Sequence, residues 1–301
     1  MIHLVSSIPS PEISYFDLGP VRIHIYALFI LLGIVLALIL GSQRLKMRGA
    51  RGGEIIDVSL WAVPIGLVGA RFFHVITHWD DYFAPGKDFL EVFKIWNGGI
   101  AIYGGLAFGI LGAMLGCRIV GIRFTSYADA IAPGVLLAQG VGRIGNYFNS
   151  ELFGSPTDLP WGLQIATSNS AYPAGFPAGV TFHPTFAYEL LWDLVGVALL
   201  LLIDKRQQLR WGRMFGLYLA YYSLGRFFIE GMRMDPSDVY FSLRTNQWMA
   251  IFGIVIGIAI VFVQNNRHTG DEKSVYLEGR EPNNKPLDAL ESDLSSAEAA
   301  E

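Results

Sequence analysis

The sequence predicts an all-α integral membrane protein with seven transmembrane helices, its N-terminus outside, its C-terminus cytoplasmic, and an arm segment on the outer face. Three observations predict it: an apolar composition with few charges, seven apolar stretches of membrane-crossing length, and a basic bias that alternates from one connecting loop to the next. The 301 residues are 52% hydrophobic and 16% charged, where soluble domains carry roughly 25% charged residues. Mean hydropathy is +0.40.

A hydrocarbon core of ~30 Å needs about 20 mostly apolar residues in a helix. Residues 23–41, 55–76, 98–117, 127–147, 184–203, 214–230 and 245–263 meet that requirement. No basic segment precedes the first stretch and no small-residue cleavage site follows it, so it is expected to stay in the mature protein. Span three carries Gly105/Gly109 and Gly112/Gly116, small residues four apart that let helix backbones approach closely. Orientation follows from Lys and Arg in the short loops. Eleven lie in the loops after spans one, three, five and seven, against four in the alternate loops. That bias puts the N-terminus outside, and an odd number of spans puts the C-terminus inside.

Residues 1–264 are therefore expected to form the membrane domain. Within it, 150–182 is too long for a passive connection and is rich in Pro, Gly and aromatic residues, so a structured outer-face arm is expected. Residues 265–301 hold nine acids against four bases and few apolar side chains, which reads as a disordered acidic tail. Cys117, the only cysteine, lies in an apolar run and reads as an inert buried thiol.

With orientation fixed, each polar side chain acquires a depth. Tyr26, Arg71, His74, Tyr103, Arg143, Asn146, Asn149, Glu151, His183, Glu189, Tyr222, Arg226 and Glu230 all fall near the outer helix ends. A charge deep in a span costs ~2.5–3.5 kcal/mol on insertion scales, so three arginines in one layer (Arg71, Arg143, Arg226) point to a shared polar cavity. Tyr222, Arg226 and Glu230 are spaced by four and share one helix face. Glu151, Glu189 and Glu230 are available partners for the arginines. Arginine presents a planar, always-charged fork to phosphate or carboxylate, and apolar helices around it suit an anionic lipid head group. No His/Asp/Glu cluster has metal-ligand spacing, and no P-loop, dinucleotide fingerprint or GxSxG is present. No metal, no cofactor and no nucleic-acid partner is expected. A multi-span transporter of an anionic solute is the alternative, but a transporter site belongs near the midplane with access from both sides.

The run Gly142-Arg143-Ile144-Gly145-Asn146-Tyr147-Phe148-Asn149-Ser150-Glu151-Leu152-Phe153-Gly154 resembles the signature of the prolipoprotein diacylglyceryl transferase family. The early Arg22, His24 and Tyr26, the pair Ala70-Arg71, the His183-Pro184 to Tyr188-Glu189 segment, and Gly225-Arg226-Phe227 with Glu230 and Arg233 resemble further family motifs in the same order. The resemblance covers residues 15–263. It implies a bacterial cell-membrane enzyme, active toward the outer leaflet, that moves the diacylglyceryl group of phosphatidylglycerol to the thiol of a lipobox cysteine in a preprolipoprotein. A thioether forms, glycerol phosphate leaves, and lipoprotein maturation begins. By the same resemblance Arg143 and Arg226 meet the phosphate and Glu230 holds Arg226. Tyr26, Asn146, Glu151, Gly154, His183, Tyr222 and Arg233 contribute to substrate binding. Many family members have His-Gly-Gly where this chain has Tyr103-Gly104-Gly105. A phenol of pKa ~10 is a poor base, so Tyr103 is expected to position a ligand. His24, His74 and His183 stay open as bases.

Overall fold

The computed structural model describes residues 7–281 apart from 20 and 170. Seven helices of eighteen residues or more dominate them: α1 (Ile25–Met47), α2 (Glu54–Thr77), α4 (Ile102–Val120), α5 (Phe124–Asn149), α6 (Thr185–Gln207), α7 (Arg213–Glu230) and α8 (Thr245–Arg267). Between α2 and α4 lie the short α3 (Trp79–Phe83) and two 3-10 turns. Each expected span falls on one of the long helices. By length and composition five of them (α1, α2, α4, α6 and α8) are long and apolar enough to cross a membrane. The remaining two, α5 and α7, carry most of the polar residues described below. The expected span ends fall short of helix ends that are polar: α1 continues past residue 41 to take in Arg44 and Lys46.

The long helices pack as pairs, α2 on α4, α1 on α5 and α7 on α8, with α6 bridging α5 and α7. Small residues make these contacts. A Cβ on Gly112 would stand 2.8 Å from the Trp61 carbonyl oxygen, and one on Gly116 would stand 3.0 Å from that of Val58. Gly216 and Gly257 face one another across α7 and α8 in the same way, each within 2.8 Å of the other's carbonyl. In lipid, where apolar side chains gain nothing by leaving their surroundings, close backbone packing is what holds helices together.

Two ends of the bundle can be told apart: a basic end, where α1, α4, α6 and α8 finish, and an arm end, where they begin. The expectation that ionisable groups collect at one end alone is corrected at the basic end. Asp129 is fully buried, and its carboxylate accepts from the backbone N–H of Gly212 at 2.7 Å and of Phe215 at 3.0 Å, capping α7. Arg48 lies 3.7 Å from Asp129, and Arg44 lies 3.0 Å from Asp204. Pro133 interrupts α5. A proline removes the N–H that would serve the carbonyl four residues earlier. That carbonyl, on Asp129, accepts instead from Arg44 Nη2 at 3.2 Å, and the next, on Ala130, accepts from Arg44 Nε at 3.1 Å. Loop position hid this layer in the sequence, because Arg44 and Arg48 read as ordinary basic loop residues.

At the arm end sit three two-stranded hairpins that hydropathy did not announce: β1 (Tyr15–Leu18) with β2 (Val21–His24), β3 (Leu163–Gln164) with β4 (Thr181–Phe182), and β5 (Val239–Tyr240) with β6 (Leu243–Arg244). The 150–182 segment is structured. Phe153, Leu163, Ile165 and Phe182 form its buried core, with Ile8 and Tyr147 packed against it. The N-terminal segment joins it through Ile8 N–H to Gly162 O at 2.9 Å.

The acidic segment from 265 onward departs from the disordered tail expected of it. Residues 265–267 finish α8, and Val275 and Tyr276 are buried against the basic end. The Tyr276 hydroxyl donates to Glu54, and Arg123 N–H donates to Val275 O at 2.8 Å. Two apolar side chains in an otherwise polar run were enough to dock it. Residues 282–301 lie outside the described residues.

Candidate active site

The run 142–154 ends α5 and turns into the arm. Gly145 lets α1 approach: a Cβ there would stand 2.7 Å from the Tyr26 ring. Helix α5 closes with Ser150 in the left-handed region at φ 51°, and Leu152 follows at φ 58°. This reversal swings Glu151 back over the last helical turn, where it accepts from Asn146 Nδ2 at 2.9 Å and Asn149 Nδ2 at 3.2 Å. Gly154 then packs on His183, where a Cβ would stand 2.8 Å from the histidine Cβ. The His183 ring pairs with the Tyr188 hydroxyl at 3.1 Å, and Tyr188 in turn accepts from Trp161. Gly154 and His183 thus join the arm to α6 and α7.

Three helices contribute to a ribbon of alternating charge. Glu189 on α6 takes Arg143 Nε of α5 with one carboxylate oxygen, and Arg226 Nη1 of α7 at 3.1 Å with the other. Arg226 Nη2 lies 2.8 Å from Glu230, one turn further along α7. Glu230 is fully buried and also meets Arg233 at 3.5 Å and Arg244 Nε at 2.9 Å. Asn246 donates to it at 3.1 Å, and Tyr103 donates to Asn246 at 3.1 Å. Arg233 and Arg244 both pair with Asp235 as well. Burying so many charges is tolerable only because each carboxylate serves several donors.

Within this ribbon the two arginines expected at the phosphate differ. Arg226 has both terminal nitrogens in ion pairs with Glu189 and Glu230. Arg143 is held through Nε, its Nη1 lies 3.5 Å from Asn146 Oδ1, and its guanidinium also hydrogen-bonds the Tyr222 hydroxyl. Arg143, Asn146, Tyr26 and Tyr222 stand at the polar mouth of a cavity of about 690 Å³, which continues between α1, α2 and α5 along apolar residues such as Ile30, Ile34, Val63 and Val135 to Leu38, Ile56 and Ile131. Its size is that of a ligand cavity, roughly 300–1,000 Å³.

Arg71 is corrected: it does not share this cavity. Its guanidinium is spent on the backbone of the 89–99 connection, donating to Val92 O at 2.8 Å, Gly98 O at 2.7 Å, Gly99 O at 2.9 Å and Glu91 O. His74 stacks on His78 beside it, with ring centroids 4.2 Å apart. The spacing argument for Tyr222, Arg226 and Glu230 puts them on one face, but it does not reveal Glu189 as the bridge. Nor does it give the part played by Arg244 and Asn246. Glu189 was expected as one of three carboxylates available to the arginines, not as the link between two of them. Arg244 and Asn246 start α8 after a hairpin, and nothing in the linear sequence brings them to Glu230. Asp193, one turn beyond Glu189, is buried beside the same cluster without having been singled out.

Residues 14–263 match the family model described as prolipoprotein diacylglyceryl transferase. A phosphatidylglycerol–prolipoprotein diacylglyceryl transferase of Leifsonia xyli subsp. xyli is 48% identical over 288 residues, covering 92% of this chain and 86% of the relative. Its counterpart in Cutibacterium acnes is 48% identical over 269 residues, 89% of this chain and 90% of the relative. The transferase numbered 1 of Streptomyces coelicolor is 45% identical over 269 residues, 89% of this chain and 77% of the relative. The match takes in α1 to α8 together with the arm and every member of the charge ribbon, so the chain belongs to the prolipoprotein diacylglyceryl transferase family.

Proposed function

We propose that this chain is a membrane transferase that moves the diacylglyceryl group of phosphatidylglycerol to the cysteine thiol of a prolipoprotein lipobox. The seven long helices span the bilayer with the N-terminus outside, so the arm end faces the outer leaflet. The observation that carries this reading is Arg143. It is anchored to a carboxylate at Nε, faces the neutral side chains of Asn146 and Tyr222, and sits where a polar mouth meets an apolar slot. An anionic lipid needs that arrangement: phosphate at the guanidinium, hydrocarbon between the helices.

The chemistry follows from those positions. The thiolate is the nucleophile. Its sulfur bonds to the glyceryl carbon that bears the phosphate, and the carbon–oxygen bond breaks with its electron pair going to the phosphate oxygen. A thioether and glycerol phosphate result, and the proton lost by the thiol balances the new charge on phosphate. Negative charge grows on the departing group, so a preorganised guanidinium stabilises the transition state more than the ground state. Glu189 fixes Arg143 without occupying its terminal edge. Tyr103 acts at a distance, through Asn246 and Glu230, which suits positioning and not proton abstraction.

The purified chain in phosphatidylglycerol liposomes, given a lipobox peptide, is expected to release glycerol phosphate and lipidate the peptide one for one. A peptide with the cysteine changed to serine should give neither product. Absence of both products with the cysteine peptide would refute the reading.

A further inference from the structure

We infer that the slot below Arg143 holds one acyl chain of the donor lipid along its length, and that the slot's floor sets which chain lengths the enzyme prefers. This rests on the reading of Arg143 as the phosphate partner, and it concerns selection among donor lipids.

The slot runs down one face of α5, from Asn146 and Arg143 through Gln139, Ala138 and Val135 to Ile131. The twelve residues between Arg143 and Ile131 span about 18 Å at ~1.5 Å per residue. One leaflet contributes half of a ~30 Å hydrocarbon core, about 15 Å. The depth therefore matches a phosphate and glycerol at the mouth and one full acyl chain beneath them. The walls are apolar: Ile30 and Ile34 from α1, Val63 and Pro64 from α2. A floor closes the far end, where Leu38 and Ile131 pack against the buried cluster of Leu45, Ile55 and Val58. The helices approach closely there: a Cβ on Gly41 would stand 3.2 Å from Ile131 Cδ1 and 3.5 Å from Ile55 Cγ2.

Hydrophobicity cannot supply the selection, since a chain leaving the bilayer for an apolar slot exchanges one hydrocarbon environment for another. Fit can. A chain shorter than the slot leaves its lower walls without partners. A longer one must fold back or press on the floor, and overpacking of that kind costs a few- to a hundredfold in affinity.

Ile34 and Val63 line the slot midway and are 39% and 58% exposed, so enlarging them fills the slot without breaking a packed core. Ile34→Trp and Val63→Trp are compared with wild type in detergent micelles, using phosphatidylglycerols with acyl chains from six to twenty carbons and release of glycerol phosphate as the readout. Wild type is expected to peak at a chain length near that of ordinary membrane lipids. Each tryptophan variant should lose on the order of tenfold to a hundredfold in kcat/KM with the long-chain donors, stay within about twofold on the shortest, and peak at shorter chains. An unchanged chain-length profile, or an equal loss at every length, overturns the inference. Wild type inactive at every length would instead refute the proposed reaction itself.

Discussion

Replacing Glu189 by glutamine tests whether the charge ribbon aims Arg143. The two side chains have the same shape, so the perturbation is confined to charge and to one acceptor. Glu189 takes Arg143 Nε with one oxygen and Arg226 Nη1 at 3.1 Å with the other, and its side chain is only 8% exposed. A glutamine can accept from one arginine, but it turns an NH₂ donor toward the other. Breaking one partner of a buried ion pair costs about 3–5 kcal/mol. Part of that is relieved here because Arg226 keeps Glu230 at 2.8 Å. Arg143 has no second ion pair among the described residues, so it bears most of the loss and its guanidinium turns. Misplacement of a catalytic group by ~1 Å costs about 10²-fold, and loss of an orienting partner costs about 10–100-fold. Glu189→Gln is therefore expected to lower kcat/KM for phosphatidylglycerol by roughly 10²-fold or more. The assay is glycerol phosphate release from liposomes, with circular dichroism and detergent gel filtration to check that the helices are intact. A well-folded Glu189→Gln protein within about threefold of wild type would refute the reasoning, since the aim of Arg143 would then not depend on Glu189.

Other outcomes follow from the same contacts. Arg143→Lys keeps the charge but cannot both hold Glu189 through Nε and present a fork, so turnover should drop about 10²-fold; near-normal release would remove the fork from the mechanism. Tyr103→Phe deletes one hydrogen bond to Asn246, worth about 0.5–1.5 kcal/mol, so activity should fall no more than roughly tenfold; a loss of several orders of magnitude would make the hydroxyl a direct participant. Asp129→Ala strips the cap from α7 and leaves Arg48 with Asp204 at 3.8 Å in place of two carboxylates; thermal unfolding in detergent should show a clear fall in Tm, from a destabilisation of about 3 kcal/mol, and an unchanged Tm would contradict the buried-cap assignment. Gly154→Ala places a methyl 2.8 Å from His183 Cβ and 3.0 Å from Met232 O; overpacking of about 1–3 kcal/mol should loosen the arm, read as faster protease cleavage within 150–182.

The long helices were legible because an apolar run can be counted along a sequence, and five of the seven are long and apolar enough to cross a membrane. The glycines of α4 were legible in the same way, as spacing along one helix. The hairpins were not. Tyr240-Phe241-Ser242-Leu243 turns with two non-glycine residues at positive φ, 50° at Phe241 and 64° at Ser242, where a sequence reader looks for Asn-Gly. At the site, contacts within a helix were readable and contacts between helices were not. Tyr222, Arg226 and Glu230 declare their shared face by spacing. The bridge from Arg143 through Glu189 to Arg226 depends on how three helices pack. Arg71 shows the opposite failure. Its place near the end of α2 does not say what a guanidinium faces, and the carbonyls of the 89–99 connection claim it.

The two buried ionic layers of this bundle separate structural charge from working charge. At the basic end the carboxylate of Asp129 is consumed by backbone: it caps α7 and offsets Arg48, while Arg44 closes the gap that Pro133 opens. Those groups hold α5 and α7 in register. Both helices start there and run in the same direction. Fourteen residues separate Asp129 from Arg143, and the same number separate Gly212 from Arg226. A pin between Asp129 and Gly212 therefore brings the two arginines to one level, about 21 Å away at ~1.5 Å per residue, where a single carboxylate can serve both. At the arm end the ion pairs run from Arg143 through Glu189, Arg226 and Glu230 to Arg233, Arg244 and Asp235. At the cavity mouth the half-buried Arg143 pairs with one carboxylate, and its further partners, Asn146 and Tyr222, are neutral, so its positive charge faces the cavity. The charge layer at the basic end thus sets the level at which Glu189 joins Arg143 to Arg226 at the other.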